Sequence, residues 1–179
     1  YRRTFQVPAA WSAKRVFLTF EGVMTDTQVL VNGQSAGPMH QGGFYRFQYE
    51  VTKLLKFGQE NLLEVTVDEE SANASINNAE RRADYWNYAG IYRPVTLEAV
   101  PTAFIQRIAI NAKADGTLAV DVYGDGVTPA DTVEAQVMDL KGTSLGVAFS
   151  QPIPTGGRQP TPLQTQFNSP RLWTAETPN

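Results

Sequence analysis

Between Asp84 and Arg93 one carboxylate and four aromatic rings, Tyr85, Trp86, Tyr88 and Tyr92, crowd a connection that turns at Gly90 into a strand. Loops carry recognition while the strands behind them carry stability, so aromatics gathered on a loop are there to meet a partner. Two partners suit them: a sugar, whose apolar C–H faces stack on flat rings, or another protein domain. Core filling is the plainer alternative. Arg93 opens the following strand, and an unpaired charge inside a sheet protein is unfavourable, so a buried Arg93 requires a carboxylate. Glu21, in the run Phe20-Glu21-Gly22-Val23, is the candidate partner.

Other reactive constellations are thin. Glu80 and Asp84 are two acids in a polar stretch with nothing nearby to raise one pKa, so we read them as solvated rather than as an acid/base pair. His40 is the only histidine and cysteine is absent, so neither a Ser-His-Asp triad nor a His- or Cys-rich metal centre can be assembled. No cofactor is expected, and His40 is expected to face water. Trp11 and Trp173 read as core or interface plugs. Asn73-Ala74-Ser75 fits the glycosylation acceptor pattern, which recurs by chance and is given no role.

The 179 residues suffice for two compact domains, and 42% hydrophobic against 18% charged residues places the chain among folded proteins. Fifteen basic residues against 18 acidic ones give a formal charge of -3, and the basic pairs Arg2-Arg3, Lys14-Arg15 and Arg81-Arg82 are scattered. Nucleic-acid binders concentrate such residues in a stripe, so that class is set aside. No apolar run is long enough to span a bilayer as a helix, and no basic amphipathic helix is present. The chain opens on Tyr1 without a leader pattern, which suggests either a processed protein or a piece of a longer one.

Alternating apolar and polar positions and frequent turn residues make the chain all-β. Expected strands run from Arg15 to Phe20, Gln28 to Val31, Phe44 to Tyr49, Leu62 to Val67 and Val95 to Val100, with one short helical candidate from Val51 to Lys56. A second set runs from Ile105 to Ala112, Thr117 to Tyr123, Thr132 to Asp139 and Ser144 to Phe149. Asp115-Gly116 predicts a tight hairpin whose two central residues both have positive φ. Gln151 to Pro162 reads as an irregular connection. Pro101 cannot donate to a ladder, so the division falls there, giving domains 1–100 and 101–179. Short antiparallel strands at regular spacing imply two sandwiches.

Several motifs in order carry a family resemblance. They are Tyr1-Arg2-Arg3-Thr4-Phe5, Phe20-Glu21-Gly22-Val23, Val31-Asn32-Gly33, the block Asp84-Tyr85-Trp86-Asn87-Tyr88-Ala89-Gly90-Ile91-Tyr92-Arg93-Pro94-Val95-Thr96-Leu97, and the terminal Leu172-Trp173-Thr174-Ala175-Glu176-Thr177-Pro178-Asn179. Together they resemble the N-terminal half of family two glycoside hydrolases, the β-galactosidase, β-glucuronidase and β-mannosidase group. The resemblance implies a jelly-roll domain of the sugar-binding type over 1–100. An immunoglobulin-like sandwich, incomplete at its end, follows over 101–179 and leaves an open sheet edge near Asn179. Such an edge invites pairing, so a homo-oligomer is one expected outcome.

In that family the two catalytic carboxyl groups of a retaining mechanism come from a barrel that follows the sandwiches. This chain has no Asn-Glu dipeptide and no Asn-x-Arg-x-x-His signature, so hydrolysis by it alone is not expected. The resemblance gives Asp84 a substrate-binding role at the barrel's mouth, where a carboxylate can accept from two neighbouring hydroxyls and so discriminate epimers. The alternative is a turn cap or a pair with Arg81 or Arg82. Tyr85, Trp86, Tyr88, Tyr92 and Arg93 are assigned to the interface with the barrel. The expected partner is a terminal β-glycoside bound jointly with that barrel, a β-galactoside first. The rival readings are a free-standing carbohydrate-binding module and a purely structural sandwich pair. By analogy with exported relatives the expected compartment is periplasmic or extracellular, with the cytoplasm as the alternative.

Overall fold

The computed structural model describes residues 1–82, 88–154 and 159–178. The chain divides into two compact units, Tyr1–Pro101 and Thr102–Asn179. Both are built from antiparallel strands.

Unit one contains β1 (Arg2–Gln6), β2 (Arg15–Phe20), β3 (Val23–Met24), β4 (Asp26–Val31), β5 (Gln34–Ser35), β6 (Phe47–Glu50), β7 (Glu60–Asp68), β8 (Gly90–Ile91) and β9 (Val95–Val100). One sheet has the order β1-β7-β4-β5, a second β6-β2-β9, and β3 pairs with β8. Strand β4 alternates as a sandwich strand must: Val29 and Val31 are buried while Gln28 and Leu30 face outward. Strand β2 is the exception. Its residues from Val16 to Phe20 are all buried, because it is the middle strand of its sheet and both of its faces are covered. Val16, Leu18 and Phe20 meet Val23, Val29, Val31, Val51 and Val65 in the core. Phe20 also stacks on Phe47 of the paired strand with centroids 4.9 Å apart.

The Asn32-Gly33 turn is fastened from behind by Asn61, which is 1% exposed. The Asn61 Oδ1 accepts from the Lys56 N–H and from the Asn32 amide, both at 2.8 Å. Its Nδ2 donates to the Lys56 and Gln59 carbonyls at 3.0 and 3.1 Å. A buried amide is tolerated here because both of its ends are satisfied.

Unit two contains β10 (Phe104–Ala112), β11 (Thr117–Asp125), β12 (Thr132–Ala135), β13 (Phe149–Pro152) and β14 (Thr161–Gln166). Its sheets are β10-β11-β14 and β12-β13, and Val120, Val122, Val133, Ile153 and Leu163 form a small core. Ile108 and Ile110 stand opposite Val122 and Val120, yet they remain 52% and 62% exposed. The apolar side of β10 is therefore uncovered among the described residues.

Several expectations need correction. The stretch from Val51 to Lys56 supplies only a single 3₁₀ turn, Thr52–Leu54. Ser144 to Phe149 is not a strand: β13 begins at Phe149, and Ser144 makes only an isolated bridge with Met138. The connection after Gln151 is shorter than read, since β14 pairs with β11 from Thr161 onward. At the Asp115-Gly116 hairpin only Gly116 has a positive φ, +89°. Asp115 instead folds its side chain back, its Oδ1 accepting from the Thr117 N–H at 2.8 Å. Of the two tryptophans read as core or interface plugs, Trp11 packs against the core and Trp173 is 69% exposed, which leaves it the interface reading. Asn179, where the open edge was expected, lies outside the described residues.

Candidate functional site

Asp84, Tyr85 and Trp86 lie outside the described residues, so the structure speaks to the two limbs that flank them. The upstream limb leaves β7, passes Ser71 and the one-turn helix Ala74–Ile76, and continues through a π-type turn over Asn77–Arg81. The Asn73 side chain caps the first turn by accepting from the Ser75 N–H, and Asn77 ties the limb back by bonding both the N–H and the carbonyl of Ser71. The downstream limb runs from Tyr88 through β8 to Tyr92 and Arg93.

Both limbs converge on the loop His40-Gln41-Gly42-Gly43. The Glu80 carboxylate accepts from the Gly43 N–H at 2.6 Å. The Tyr92 hydroxyl donates to the Gly43 carbonyl. The same loop is held to β4 by reciprocal backbone bonds between Thr27 and His40, at 2.8 and 3.0 Å. The Gln41 amide donates to the Asp26 Oδ2 at 2.9 Å, and the Ala72 N–H donates to that same oxygen at 2.8 Å. Gly42 sits at φ +109°, and a side chain there would collide with the Tyr45 hydroxyl, whose own bond goes to the Gln41 carbonyl.

Two sequence expectations are overturned here. His40 does not face water: it is half-buried, its ring stacks on Phe47 at 3.7 Å and meets the edge of Tyr45, and its Nε2 lies 3.0 Å from the Gly42 carbonyl. Glu80 is not a solvated acid, being committed to Gly43. Periodicity could not reveal either. The only signal was the pairing of two glycines with a histidine and an amide, and that pattern marks close backbone approach without naming the partner.

The electrostatics follow from burial. Asp26 is 2% exposed, and burial alone would raise its carboxyl pKa. Hydrogen bonding from Ser71, Ala72 and Gln41, together with the nearby His40, outweighs this and holds it below the ordinary carboxylate value. Burial lowers the His40 pKa, against the opposing pull of the Gly42 carbonyl, Glu80 and Asp26. Among the described residues no group of three or more His, Asp and Glu side chains could hold a metal ion.

Of the described aromatics, Tyr88 is 77% and Tyr92 46% exposed. Arg93 is exposed as well, which removes the premise that it needs a buried partner. Its guanidinium lies 5.3 Å from the Tyr92 ring centroid and donates weakly, at 3.5 Å, to the Glu21 backbone carbonyl. The Glu21 carboxylate instead faces Arg46 at 3.5 Å. The expected Glu21–Arg93 ion pair is thus replaced by a backbone contact.

Unit two holds a cleft of about 630 Å³ lined by Leu118, Val137, Leu145, Phe167 and Arg171 among others. The acid among its described lining residues, Asp139, accepts from the Lys141 and Thr143 N–H groups through Oδ1, both at 2.8 Å.

Comparison with known proteins bears on unit one first and then on the whole chain. Residues 1–101 match the family described as glycosyl hydrolases family 2, sugar binding domain. A β-galactosidase from Thermoanaerobacter pseudethanolicus is 36% identical over 109 residues, which is 60% of this chain and 14% of that protein. A β-galactosidase from Clostridium acetobutylicum is 32% identical over 188 residues, spanning 100% of this chain and 19% of that protein. The crystal structure of a Bacteroides uniformis β-glucuronidase superimposes with a TM-score of 0.78 at 25% identity, covering 98% of this chain and 22% of that one. The chain thus spans less than a quarter of the length of each of these relatives.

Proposed function

Because the chain belongs to glycosyl hydrolase family 2, with its first unit matching that family's sugar binding domain, we propose that it is the non-catalytic part of a retaining glycosidase acting on terminal β-glycosides. It forms one wall of the substrate site. The acid and the nucleophile come from a catalytic barrel in the same polypeptide, and β-galactosides are the leading substrate class, with β-glucuronides second. Asp84 accepts hydrogen bonds from two adjacent hydroxyls of the terminal sugar. Tyr85, Trp86, Tyr88, Tyr92 and Arg93 face the barrel.

The observation that carries this reading is the convergence of both limbs flanking residues 83–87 on one loop of the sugar-binding-type unit. The exposure of Tyr88, Tyr92 and Arg93 along the downstream limb supports an outward, partner-facing role. A single carboxylate on an isolated unit cannot offset the freedom a sugar loses on binding, so the 179 residues alone bind a monosaccharide weakly or not at all.

The test is Asp84→Ala in the natural polypeptide that carries this chain, assayed on nitrophenyl β-galactoside and β-glucuronide. Losing two charge-assisted hydrogen bonds lowers kcat/KM by about two orders of magnitude, since each tenfold corresponds to about 1.4 kcal/mol. Unaltered turnover refutes the assignment. Tight oligosaccharide binding by the isolated 179 residues would instead favour a free-standing binding module.

A further inference from the structure

Asn32-Gly33 is the one place in the chain where glycine follows asparagine. In a mobile chain that pair is reactive, because glycine has no β-carbon to shield its backbone nitrogen. The nitrogen gives up its proton to water and attacks the carboxamide carbon, the carboxamide C–N bond breaks, and ammonia leaves. A second water opens the five-membered imide to aspartate or isoaspartate. In the structure the pair forms the two-residue turn between β4 and β5, with φ of +52° and +78°, as a type I′ hairpin requires. Gly33 is exposed, and a β-carbon on it would meet nothing within 4 Å, so neither burial nor crowding protects its nitrogen. The carboxamide is what is held. Asn32 Nδ2 donates to the Leu54 carbonyl and to Asn61 Oδ1, both at 2.8 Å, and its Oδ1 accepts from the Leu62 N–H at 3.0 Å. Both heteroatoms are thus tied to the 3₁₀ turn at Leu54 and to the start of β7.

We infer that Asn32 is a deamidation site held shut by these three bonds, and that reaction there turns a transient opening of the hairpin into permanent damage to unit one. Swinging the carboxamide onto the Gly33 nitrogen gives up all three, so the folded chain reacts only through local opening. The product cannot restore what was lost. Aspartate at position 32 puts an acceptor oxygen where Nδ2 donated, facing the Leu54 carbonyl and Asn61 Oδ1. Asn61 cannot invert its own amide to compensate without losing its bonds to Lys56 and Gln59. Chemical conversion of an opened state is one route by which unfolding becomes irreversible.

The experiment incubates the natural polypeptide that carries this chain at one mildly alkaline pH, folded and, in parallel, in urea above its unfolding midpoint. Conversion is followed by mass spectrometry of the peptide containing residues 32 and 33 and by isoaspartate methyltransferase labelling. With about a fivefold factor from each of the three bonds, the folded rate is expected about a hundredfold below the unfolded one. Asn61→Ala removes one of them and raises the folded rate at least about fivefold. The comparison of folded with unfolded parent needs no variant, so it decides even where Asn61→Ala fails to fold. A folded rate within about threefold of the unfolded rate overturns the inference, as does a folded Asn61→Ala that reacts no faster than the parent. Asn32→Asp reproduces the product and is expected to speed amide exchange across β4, β5 and β7 at least about tenfold; unchanged exchange overturns the claim of permanent damage.

Discussion

Replacing Asn61 by alanine tests how unit one holds its turns. The side chain makes four hydrogen bonds, two through Oδ1 and two through Nδ2, to Lys56, Asn32 and Gln59. Lys56 and Gln59 are exposed residues, so water can reach part of what is released, whereas the Asn32 Nδ2 is left with its bond to the Leu54 carbonyl while its Oδ1 still accepts from the Leu62 N–H. With about 1 kcal/mol net per lost bond and more for each group left dry, the substitution costs roughly 2–4 kcal/mol. For a unit of about 100 residues that corresponds to a fall in melting temperature of roughly 10–25 °C. The assay is urea unfolding of the 179-residue chain followed by amide exchange, which separates the units. Unit two serves as the internal control. Asn61→Asp sharpens the test: it keeps an acceptor for the Lys56 N–H but turns a carboxylate oxygen toward two carbonyls, so at neutral pH it is at least as damaging as alanine and recovers partly on acidification. A loss below about 1 kcal/mol for alanine at unchanged m-value refutes the reasoning.

Two other outcomes follow from the site and from unit two. The His40 pKa is lowered in the folded state, so the unfolded chain takes up the proton first. Stability is then complete above about pH 6.5 and falls as pH drops through the folded value. Asp26, also lowered, adds a loss of the same sign below about pH 4. His40→Phe, which keeps the stack on Phe47 beside Asp26 and Glu80, abolishes the first decline in urea midpoint and leaves the second; an unchanged pH profile contradicts this. Gly116→Ala forces a side chain into positive φ against the Phe167 carbonyl and costs unit two at least about 2 kcal/mol, read by amide exchange at Lys113 and Thr117.

The strands that alternate cleanly or end at strong turn residues were legible: β2 and β9 fall where Arg15–Phe20 and Val95–Val100 were expected, and the Asp115-Gly116 hairpin forms. Strand β1, Arg2–Gln6, was missed because it is largely exposed and bears arginines, so only its pairing with β7 makes it a strand. Strands β3, β5 and β8 are two residues each, too short for any period to show. Of the candidate site, Tyr88, Tyr92 and Arg93 are described and exposed, whereas Asp84, Tyr85 and Trp86 lie outside the described residues. The aromatic block announced itself by composition, but the roles of Gly43, Glu80 and Asp26 are long-range hydrogen bonds, and no local pattern encodes those. Arg93 was read as needing a carboxylate only if buried, and it lies exposed between β8 and β9, so that condition is not met.

The pairing of β2 with β9 joins Arg15 to Val100 and Phe20 to Val95. The hydrophobic centre of the first unit is therefore closed by its last strand, and such non-local closure is slow because the chain must lose loop entropy before contacts reward it. On a ribosome, β2 emerges early and waits with one flank bare until residue 100 clears the exit tunnel. Chaperone capture belongs to that interval, and nascent chains stalled before Val95 are the species expected to aggregate.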